Sequence, residues 1–321
     1  MSGTPVLVVT SPGSALPEEF DAVRDVAEII CADNPDDFRA GLQRTDVAYL
    51  WDCHTPLLRS EGPGELRWIH TNSVGLDAIL IPEVVDSSIV VTNTRGVFEP
   101  PMAEWVLAAL LYLVKDMRRT IESQRAVFWD HRAVHSIKGR RVLLLGPGGV
   151  GREIARMLRV VGMDVDIVGR SARTDDELGP VHGLEDLDDL LSQADDVVVA
   201  LPLTAQTRGI IDADRIARLK PGAHLVNVGR GPLIDEPALV QALQDRRIAG
   251  AALDVFDTEP LPVQSPLWAM ENVLVSPHMS GDVIGWPRQS VKVFTDNLQR
   301  WRAGEPLANV VDKAGMAVTA G

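Results

Sequence analysis

A short segment near the middle of the chain constrains the fold more than any other, because it joins an apolar strand to a helix through a glycine-rich loop. Residues 142–145 read Val-Leu-Leu-Leu, a run typical of a buried strand, and residues 152–161 have the spacing of an amphipathic helix. The loop between them is Gly146-Pro147-Gly148-Gly149-Val150-Gly151. This order of strand, glycine loop and helix predicts a βαβ unit that binds a dinucleotide.

The glycines of this loop have separate tasks in such a unit. The first, Gly146, permits the tight turn, Gly148 lets the backbone approach a pyrophosphate, and Gly151 lets the helix and the strand pack closely. The N–H groups at the helix start then bind the anionic phosphates. We therefore predict that Gly146, Gly148, Gly149, Val150 and Gly151 contact the cofactor.

The alternation of short apolar runs with amphipathic ones predicts two parallel α/β domains, since 321 residues exceed the ~250–300 at which a single core stops growing. We expect strands at 6–10, 47–51, 68–71 and 89–92, with helices at 18–27 and 35–43. A long helix follows from 99 to about 124, where proline in the first turn favours a helix start. Six more strands, at 142–145, 165–168, 197–201, 224–228, 251–255 and 273–275, fit a doubly wound sheet.

The domain boundaries follow from this order. We predict that residues 1–98 and 287–321 form the substrate domain and that residues 99–286 form the dinucleotide-binding domain. The last helix, about 285–302, can then return to pack on the first domain.

Charge and cysteine usage exclude some classes of partner. The net charge of −14 makes nucleic acid and anionic membranes poor partners, although local basic residues still allow a small anionic substrate. The longest apolar stretch, 105–114, is far shorter than the ~20 residues of a membrane span. Cys31 and Cys53 are too few for a disulfide framework and show no metal-site pattern. With no signal peptide recognisable, we expect a cytoplasmic protein.

The end of the second strand of the dinucleotide domain bears on which cofactor binds. An acid there would bind free ribose hydroxyls, but this strand ends in Gly169, Arg170 and Ser171. An arginine can pair with a 2′-phosphate, which an acid would repel. We therefore favour NADP(H) over NAD, with Arg170 and Ser171 as contacts. The alternative is that Arg170 and Arg173 are only solvated loop charges.

Three later strands are followed by an arginine, an acid and a histidine, namely Arg230, Glu259 and His278. Ligands of open α/β sheets bind outside the carboxyl ends of the strands, so the three can converge on the cofactor cleft. Reduction of a 2-oxo acid needs a proton, which His278 can deliver near neutrality, and Glu259 would raise the histidine's pKa. Arg230 offers permanent donors to a carboxylate and a carbonyl oxygen. Singly, each also fits an ordinary loop or surface charge.

Together these segments resemble the D-isomer-specific 2-hydroxyacid dehydrogenases, the family that contains glyoxylate and hydroxypyruvate reductases. The resemblance covers most of the chain and extends to Asn93-Thr94-Arg95-Gly96, Ala103-Glu104, Leu201-Pro202-Leu203-Thr204 and Ser265-Pro266-Leu267-Trp268. It implies a flavodoxin-like substrate domain and a Rossmann-like domain with the active site between them. It also implies the roles given above for Arg230, Glu259 and His278, and a homodimer formed through the cofactor domain around the helix near Pro101.

Further site residues come from the same resemblance. It implies that Asp254 contacts the nicotinamide amide and that the backbone N–H groups of Val74 and Gly75 hold the substrate carboxylate. We also expect Pro202 and Thr207 to contact the cofactor. Trp286 either lines the substrate pocket or belongs to the core.

The favoured function is reduction of a small 2-oxo acid such as glyoxylate or hydroxypyruvate. One alternative is an NAD-linked dehydrogenase of a bulkier D-2-hydroxy acid. Another is a corepressor-like protein that senses the dinucleotide, because the family includes such proteins. The intact set of arginine, glutamate and histidine favours an enzyme.

Overall fold

The computed structural model describes residues 3–76 and 79–313, and the chain divides into two compact units. Unit 1 consists of Met1–Phe98 and Val283–Gly321, and unit 2 consists of Glu99–Asp282. The sequence placed the second boundary at 286/287. In the structure it lies at 282/283, because the turn that begins at Val283 leads directly into the last helix, where the Trp286 N–H donates to the Val283 carbonyl.

The first part of unit 1 is a five-stranded parallel sheet with short helices. Its strands are β1 (Thr4–Val9), β2 (Ala27–Ala32), β3 (Val47–Leu50), β4 (Trp68–Thr71) and β5 (Val90–Asn93). Its helices are α1 (Asp21–Arg24), α2 (Pro35–Leu42), α3 (Leu57–Glu61) and α4 (Pro82–Val85). The strand order β2-β1-β3-β4-β5 is that of flavodoxin, which confirms the predicted class of this domain.

One strand of this sheet was not predicted. The sequence predicted a helix over 18–27, but the structure has only a 3₁₀ turn and the four-residue α1 before β2 begins at Ala27. β2 is the edge strand, and most of its side chains are partly or fully exposed. Its conformation therefore depends on pairing with β1, from Thr4 opposite Ala27 to Val9 opposite Ala32, which no local pattern reveals.

Unit 2 contains a six-stranded parallel sheet and a small hairpin. Its helices are α5 (Glu99–Val114), α6 (Met117–Arg125), α7 (Gly149–Val160), α8 (Leu187–Gln193), α9 (Ala213–Arg218) and α10 (Glu236–Gln244). Its strands are β6 (Arg141–Leu145), β7 (Asp164–Val168), β8 (Arg173–Asp175), β9 (Gly179–Val181), β10 (Asp196–Val199), β11 (His224–Asn227), β12 (Gly250–Leu253) and β13 (Val273–Val275).

The order of the large sheet, β13-β12-β11-β10-β6-β7, confirms the predicted doubly wound architecture. The strand order switches sides between β6 and β10: β7 lies on one side of β6, and β10 to β13 extend on the other. Ligands of such sheets bind at the carboxyl ends of the strands at this point. Beyond β7, the sheet continues only as a single parallel β-bridge between Val168 and His182. The antiparallel hairpin β8–β9 leads into this bridge.

The predicted single helix over 99–124 is wrong. The structure breaks it after Val114, and Asp116 adopts the left-handed conformation (φ 48°) before α6 begins. α5 buries Ala103, Val106 and Leu110 in the same hydrophobic cluster as Ile154 and Leu158 of α7. α6 has no buried residue. The break lies where the apolar sequence gives way to a polar one, so only the first helix is held by a core.

The last helix, α11 (Trp286–Ala303), packs within unit 1. Its buried side chains Val291, Phe294 and Leu298 share a cluster with Val6 and Trp68 of the sheet. Each such apolar side chain contributes about 1.5–3 kcal/mol on burial, so the helix is a stable part of the unit. Across the part of the chain that the structure describes, no helix combines the length and the apolar character that crossing a membrane requires.

Candidate active site

The glycine loop of unit 2 has the geometry that a dinucleotide requires. A Cβ at Gly151 would lie 1.8 Å from the Gly146 carbonyl oxygen, so this close approach admits only glycine. α7 begins directly after Gly148, which has no side chain to cap the first N–H groups. Apart from Gly148 and its two neighbours in the chain, no described residue has an atom within 4 Å of a Cβ built on Gly148. The loop therefore offers free N–H groups and open space for a pyrophosphate, and the cofactor fits it.

The neighbouring strand β10 is followed by a closed turn that contains Pro202 and Thr207. The Thr207 hydroxyl donates to the Pro202 carbonyl (2.7 Å) and accepts the Thr204 N–H (2.8 Å). β6 and β10 are adjacent and parallel, and a Cβ at Gly146 would lie 2.5 Å from the Ala200 carbonyl oxygen. The turn and the glycine loop thus lie at the same edge of the sheet, where the cofactor contacts were predicted.

The end of β7 is crowded by Arg173, a residue named from the sequence only as a solvated loop charge. A Cβ at Gly169 would lie 3.0 Å from Pro147 Cγ and 3.1 Å from Arg173 Nη1. An acidic side chain therefore does not fit at position 169 without displacing Arg173. Arg170 and Ser171, the predicted contacts, are exposed at the start of the loop that follows. Arg173 is the functional candidate that sequence reasoning underrated, because only the β8–β9 hairpin brings it back to Gly169.

Arg230 is placed by the turn that follows β11. The Asn227 side-chain amide donates to the Arg230 carbonyl (2.9 Å), and its oxygen accepts the Gly229 N–H (3.0 Å). A Cβ at Gly231 would lie 1.9 Å from the Phe256 carbonyl carbon. The turn therefore packs directly on the segment after β12, which is the segment that carries Glu259. Glycine at 231 is what lets the two segments meet.

His278 and Glu259 form a pair at this edge. The His278 Nδ1 lies 2.7 Å from the Glu259 Oε2, while Glu259 Oε1 accepts the Phe256 N–H (2.9 Å). The hydrogen bond with Glu259 raises the pKa of His278 above its ordinary value, against burial and the Arg230 charge, which lower it. Because Nδ1 is engaged by Glu259, Nε2 is the ring nitrogen left to exchange a proton with a ligand.

Glu259 stays ionised in this arrangement. Burial raises the pKa of its carboxyl, but the hydrogen bonds from His278 and from the Phe256 N–H and the charge of Arg230 outweigh this effect, so the pKa lies below its ordinary value. Arg230 acts electrostatically on both members of the pair. The structure therefore brings together the arginine, acid and histidine that the sequence predicted.

Asp254 holds the segment that carries His278. It is completely buried, and its carboxylate accepts the Ser276 hydroxyl (2.6 Å) and the N–H groups of Met279 and Ser280 (2.9 Å each). Its carbonyl accepts the His278 N–H (2.8 Å), and His278 is left-handed with φ 52°. The two oxygens of a carboxylate offer about four acceptor positions, so three bonds leave room for one more donor.

The loop after β4 carries Val74 and Gly75 in unit 1. Its carbonyls are occupied: the Ser73 carbonyl accepts the Thr94 N–H (3.3 Å), and the Ser73 hydroxyl donates to the Gly75 carbonyl. No described residue accepts a hydrogen bond from the N–H of Val74 or Gly75. These two donors are therefore available at the carboxyl edge of this sheet, as expected for an anion-binding loop.

Trp286 stacks on Trp51 within unit 1, with ring centroids 5.4 Å apart and planes inclined by 15°. Phe98 lies 5.6 Å from Trp286 on a tilted plane. All three rings are only partly buried. Trp286 is thus neither a fully buried core residue nor an isolated surface ring.

Comparison with known proteins identifies the family. A model of the D-isomer specific 2-hydroxyacid dehydrogenase, NAD binding domain, matches residues 107–280, more than half of the chain. A glyoxylate reductase from Thermofilum pendens is 34% identical over 263 residues, which cover 79% of this chain and 77% of the relative. The chain belongs to the D-isomer specific 2-hydroxyacid dehydrogenase family.

Solved structures of this family have the same fold over nearly the whole chain. The D-isomer specific 2-hydroxyacid dehydrogenase from Xanthobacter autotrophicus Py2, in complex with NADPH and MES, is 33% identical with a TM-score of 0.82, covering 98% of this chain and 99% of that chain. The NADPH-dependent glyoxylate/hydroxypyruvate reductase from Sinorhizobium meliloti, in complex with NADP and sulfate, is 28% identical with a TM-score of 0.81, covering 97% and 98%.

Membership of the D-2-hydroxyacid dehydrogenases confirms the reaction class that the sequence predicted. The chain is an NAD(P)-dependent oxidoreductase that transfers hydride between the nicotinamide cofactor and a 2-oxo acid or its 2-hydroxy acid. The matched region includes the glycine loop and all three residues of the arginine, glutamate and histidine set.

Proposed function

We propose that the chain reduces small 2-oxo acids such as glyoxylate or hydroxypyruvate, with His278 as the proton donor. The observation that carries this proposal is the 2.7 Å contact between His278 Nδ1 and Glu259 Oε2, which leaves Nε2 as the proton-bearing atom. The names of the relatives support the substrate class, since the similar proteins from T. pendens and S. meliloti are reductases of glyoxylate or of glyoxylate and hydroxypyruvate.

The chain's own residues divide the work of this reaction. When bound, the nicotinamide supplies the hydride that is added to the carbonyl carbon. His278 Nε2 donates a proton to the carbonyl oxygen, and Glu259 stabilises the imidazolium from which the proton comes. Arg230 carries a permanent charge beside this pair and binds the polarised carbonyl or the carboxylate of the substrate.

The substrate carboxylate is assigned to the loop after β4. The N–H groups of Val74 and Gly75 have no acceptor among the described residues, and two adjacent free N–H groups form a compact anion site. This supports the role that the family resemblance implied for them.

The cofactor is proposed to be NADP(H) in preference to NAD(H). Gly169 leaves no acid at the end of β7. Arg170 and Ser171 lie in the loop that follows, and Arg173, the first residue of β8, lies against Gly169. A 2′-phosphate there would meet two arginines and no repelling carboxylate at position 169. The roles of Pro202, Thr207 and Asp254 as further cofactor contacts remain part of the proposal.

A homodimer is proposed because unit 2 exposes large apolar side chains on α6 and in the segment between α6 and β6. The exposed residues in this segment are Met117, Ile121, Val127, Phe128, Trp129 and Val134. Trp129 is 91% exposed and Val127 is 93% exposed, which is unusual for such side chains unless a partner covers them. A second copy burying this segment would bring the α5–α6 region to the interface. The cytoplasmic location likewise stays a prediction.

Oxidation of NADPH in the presence of glyoxylate, hydroxypyruvate and phenylpyruvate tests the proposed activity. We expect turnover with the two small acids and a lower kcat/KM with phenylpyruvate. A higher kcat/KM with phenylpyruvate would favour the dehydrogenase of a bulkier acid. A folded protein that binds the dinucleotide but turns over no 2-oxo acid would contradict the enzyme assignment and favour a dinucleotide sensor.

A further inference from the structure

An arginine occupies the first turn of the helix that begins at the glycine loop. Arg152 is the fourth residue of α7, and the N-terminal end of a helix carries a partial positive charge that disfavours cations. The structure shows what offsets this cost. Arg152 Nη1 and Nη2 donate to the two carboxylate oxygens of Asp175 (2.7 and 2.5 Å), and Nη1 also donates to Glu177 (2.9 Å).

Asp175 is the last residue of β8 and lies next to the turn of the β8–β9 hairpin. Its side chain is 9% exposed, and its Oδ1 also accepts the N–H groups of Glu177 (3.1 Å) and Leu178 (3.2 Å). The hydrogen bonds from Arg152 hold the pKa of the Asp175 carboxyl well below its usual range. Asp175 is therefore a permanent negative charge fixed close to the end of β7.

The same carboxylate lies beside the arginine proposed to recognise the cofactor. Asp175 Oδ2 is 3.7 Å from Arg173 Nη2, a distance beyond a hydrogen bond, whereas both of its oxygens are in short contact with Arg152. Arg173 Nη1 meanwhile lies against Gly169. Two arginines thus compete for one acid, and in the structure Arg152 holds it.

The outcome of this competition matters for a 2′-phosphate. If Asp175 were released from Arg152, its nearest cation would be Arg173. An Asp175–Arg173 pair would occupy the donors of that arginine and place a carboxylate where the phosphate must bind.

We propose that Arg152 is a positioning residue for cofactor choice, which binds Asp175 and so leaves Arg173 available to the 2′-phosphate of NADP(H). This inference rests on the proposed preference for NADP(H). Arg152 has no contact with the 2′-phosphate in this account and acts only through Asp175.

The test compares the KM values for NADPH and NADH in four full-length proteins at one ionic strength: the wild type, Arg152→Met, Arg152→Met/Asp175→Asn and Arg156→Met. We expect Arg152→Met to raise the KM for NADPH about tenfold, as loss of a charge-assisted contact would, while the KM for NADH changes less than about twofold. The double variant should restore the KM for NADPH to within about threefold of wild type, because the competing charge is gone.

The control is matched to the variant. Arg156 lies one turn further along α7 and pairs with Glu153 (2.7 Å) rather than with the hairpin, so Arg156→Met removes an exposed ion pair from the same helix. It should leave the ratio of the two KM values unchanged.

Rescue by the second substitution separates positioning from a purely structural role. A structural role predicts that the double variant is at least as impaired as Arg152→Met, and this result would overturn the inference. So would equal changes in both KM values, or a preference for NADPH that survives Arg152→Met. A wild-type protein without a preference for NADPH would instead overturn the proposed cofactor choice, and the inference with it.

Discussion

The glycine loop and the arginine, glutamate and histidine set lie at the same kind of sheet edge but are built in different ways. The loop is six consecutive residues whose function depends on backbone geometry, above all on the contact between Gly151 and the Gly146 carbonyl. The catalytic set comes from three separate segments and depends on side chains, such as the 2.7 Å bond between His278 and Glu259. The loop should therefore control binding of the cofactor, and the set should control the rate of the reaction.

The largest expected effect is the loss of the proton donor. His278→Ala should lower kcat by about 10²–10⁴-fold, the usual contribution of general acid–base catalysis, while the dissociation constant for NADPH stays within about twofold. Steady-state kinetics and fluorescence titration measure the two quantities. His135→Ala, at an exposed histidine of the same unit, is the control. Weakened NADPH binding with an unchanged kcat would contradict the assignment of cofactor binding to the loop and of the reaction rate to the catalytic set.

A substitution in the loop should give the opposite pattern. Gly148 is extended (φ −76°, ψ −172°) and open to solvent, so valine fits there without strain, but its side chain would fill the space needed by the pyrophosphate. We expect Gly148→Val to raise the KM for NADPH at least about tenfold and to leave the melting temperature unchanged.

Gly222→Val is the matched control for this loop variant. Gly222 is equally open among the described residues but precedes β11, at the amino edge of the sheet. It should change neither the KM nor the melting temperature. A Gly148→Val protein with normal affinity for NADPH would show that the loop does not bind the pyrophosphate.

The smallest effect is expected where the catalytic set is held in place. Ser276→Ala removes one of the three donors to the buried Asp254 carboxylate, which should cost about 1–2 kcal/mol of unfolding free energy and lower kcat a few-fold because the His278 segment loosens. Denaturant unfolding and kinetics measure both. Ser280→Ala keeps the backbone N–H that Asp254 accepts and should have less effect. Equal effects of the two substitutions would contradict the role of the Asp254 carboxylate in holding the His278 segment.

The same contrast explains what could be predicted from the sequence. The glycine loop, the six strands of the large sheet and the order of Arg230, Glu259 and His278 follow from local patterns and from the rule that parallel strands end at one edge. β2 could not be predicted because most of its side chains are partly or fully exposed and its conformation depends on pairing with β1. The break before α6 could not be predicted because it depends on which side chains find a buried partner, which those of α5 do and those of α6 do not. Arg173 was underrated because it is the β8–β9 hairpin that returns it to Gly169.

Asp254 shows a further limit of reasoning from the sequence. The family resemblance implied a contact with the nicotinamide, but no local pattern indicated that its carboxylate binds the segment around His278. Those bonds join residues more than 20 positions apart and exist only once β12 and β13 are paired. Roles that depend on such long-range pairing need the structure.

The central claim is that protonated His278, paired with Glu259, delivers the proton, and the pH dependence of kcat/KM for 2-oxo acid reduction tests it most directly. Activity needs the protonated ring, which is present below the pKa of His278, and Glu259 raises that pKa. The rate should therefore fall as pH rises through the raised pKa, and Glu259→Gln should move this decline to lower pH. Glu271→Gln, at an exposed ion pair with Arg246, should leave it in place. An alkaline limb that is the same in wild type and Glu259→Gln would contradict the claim.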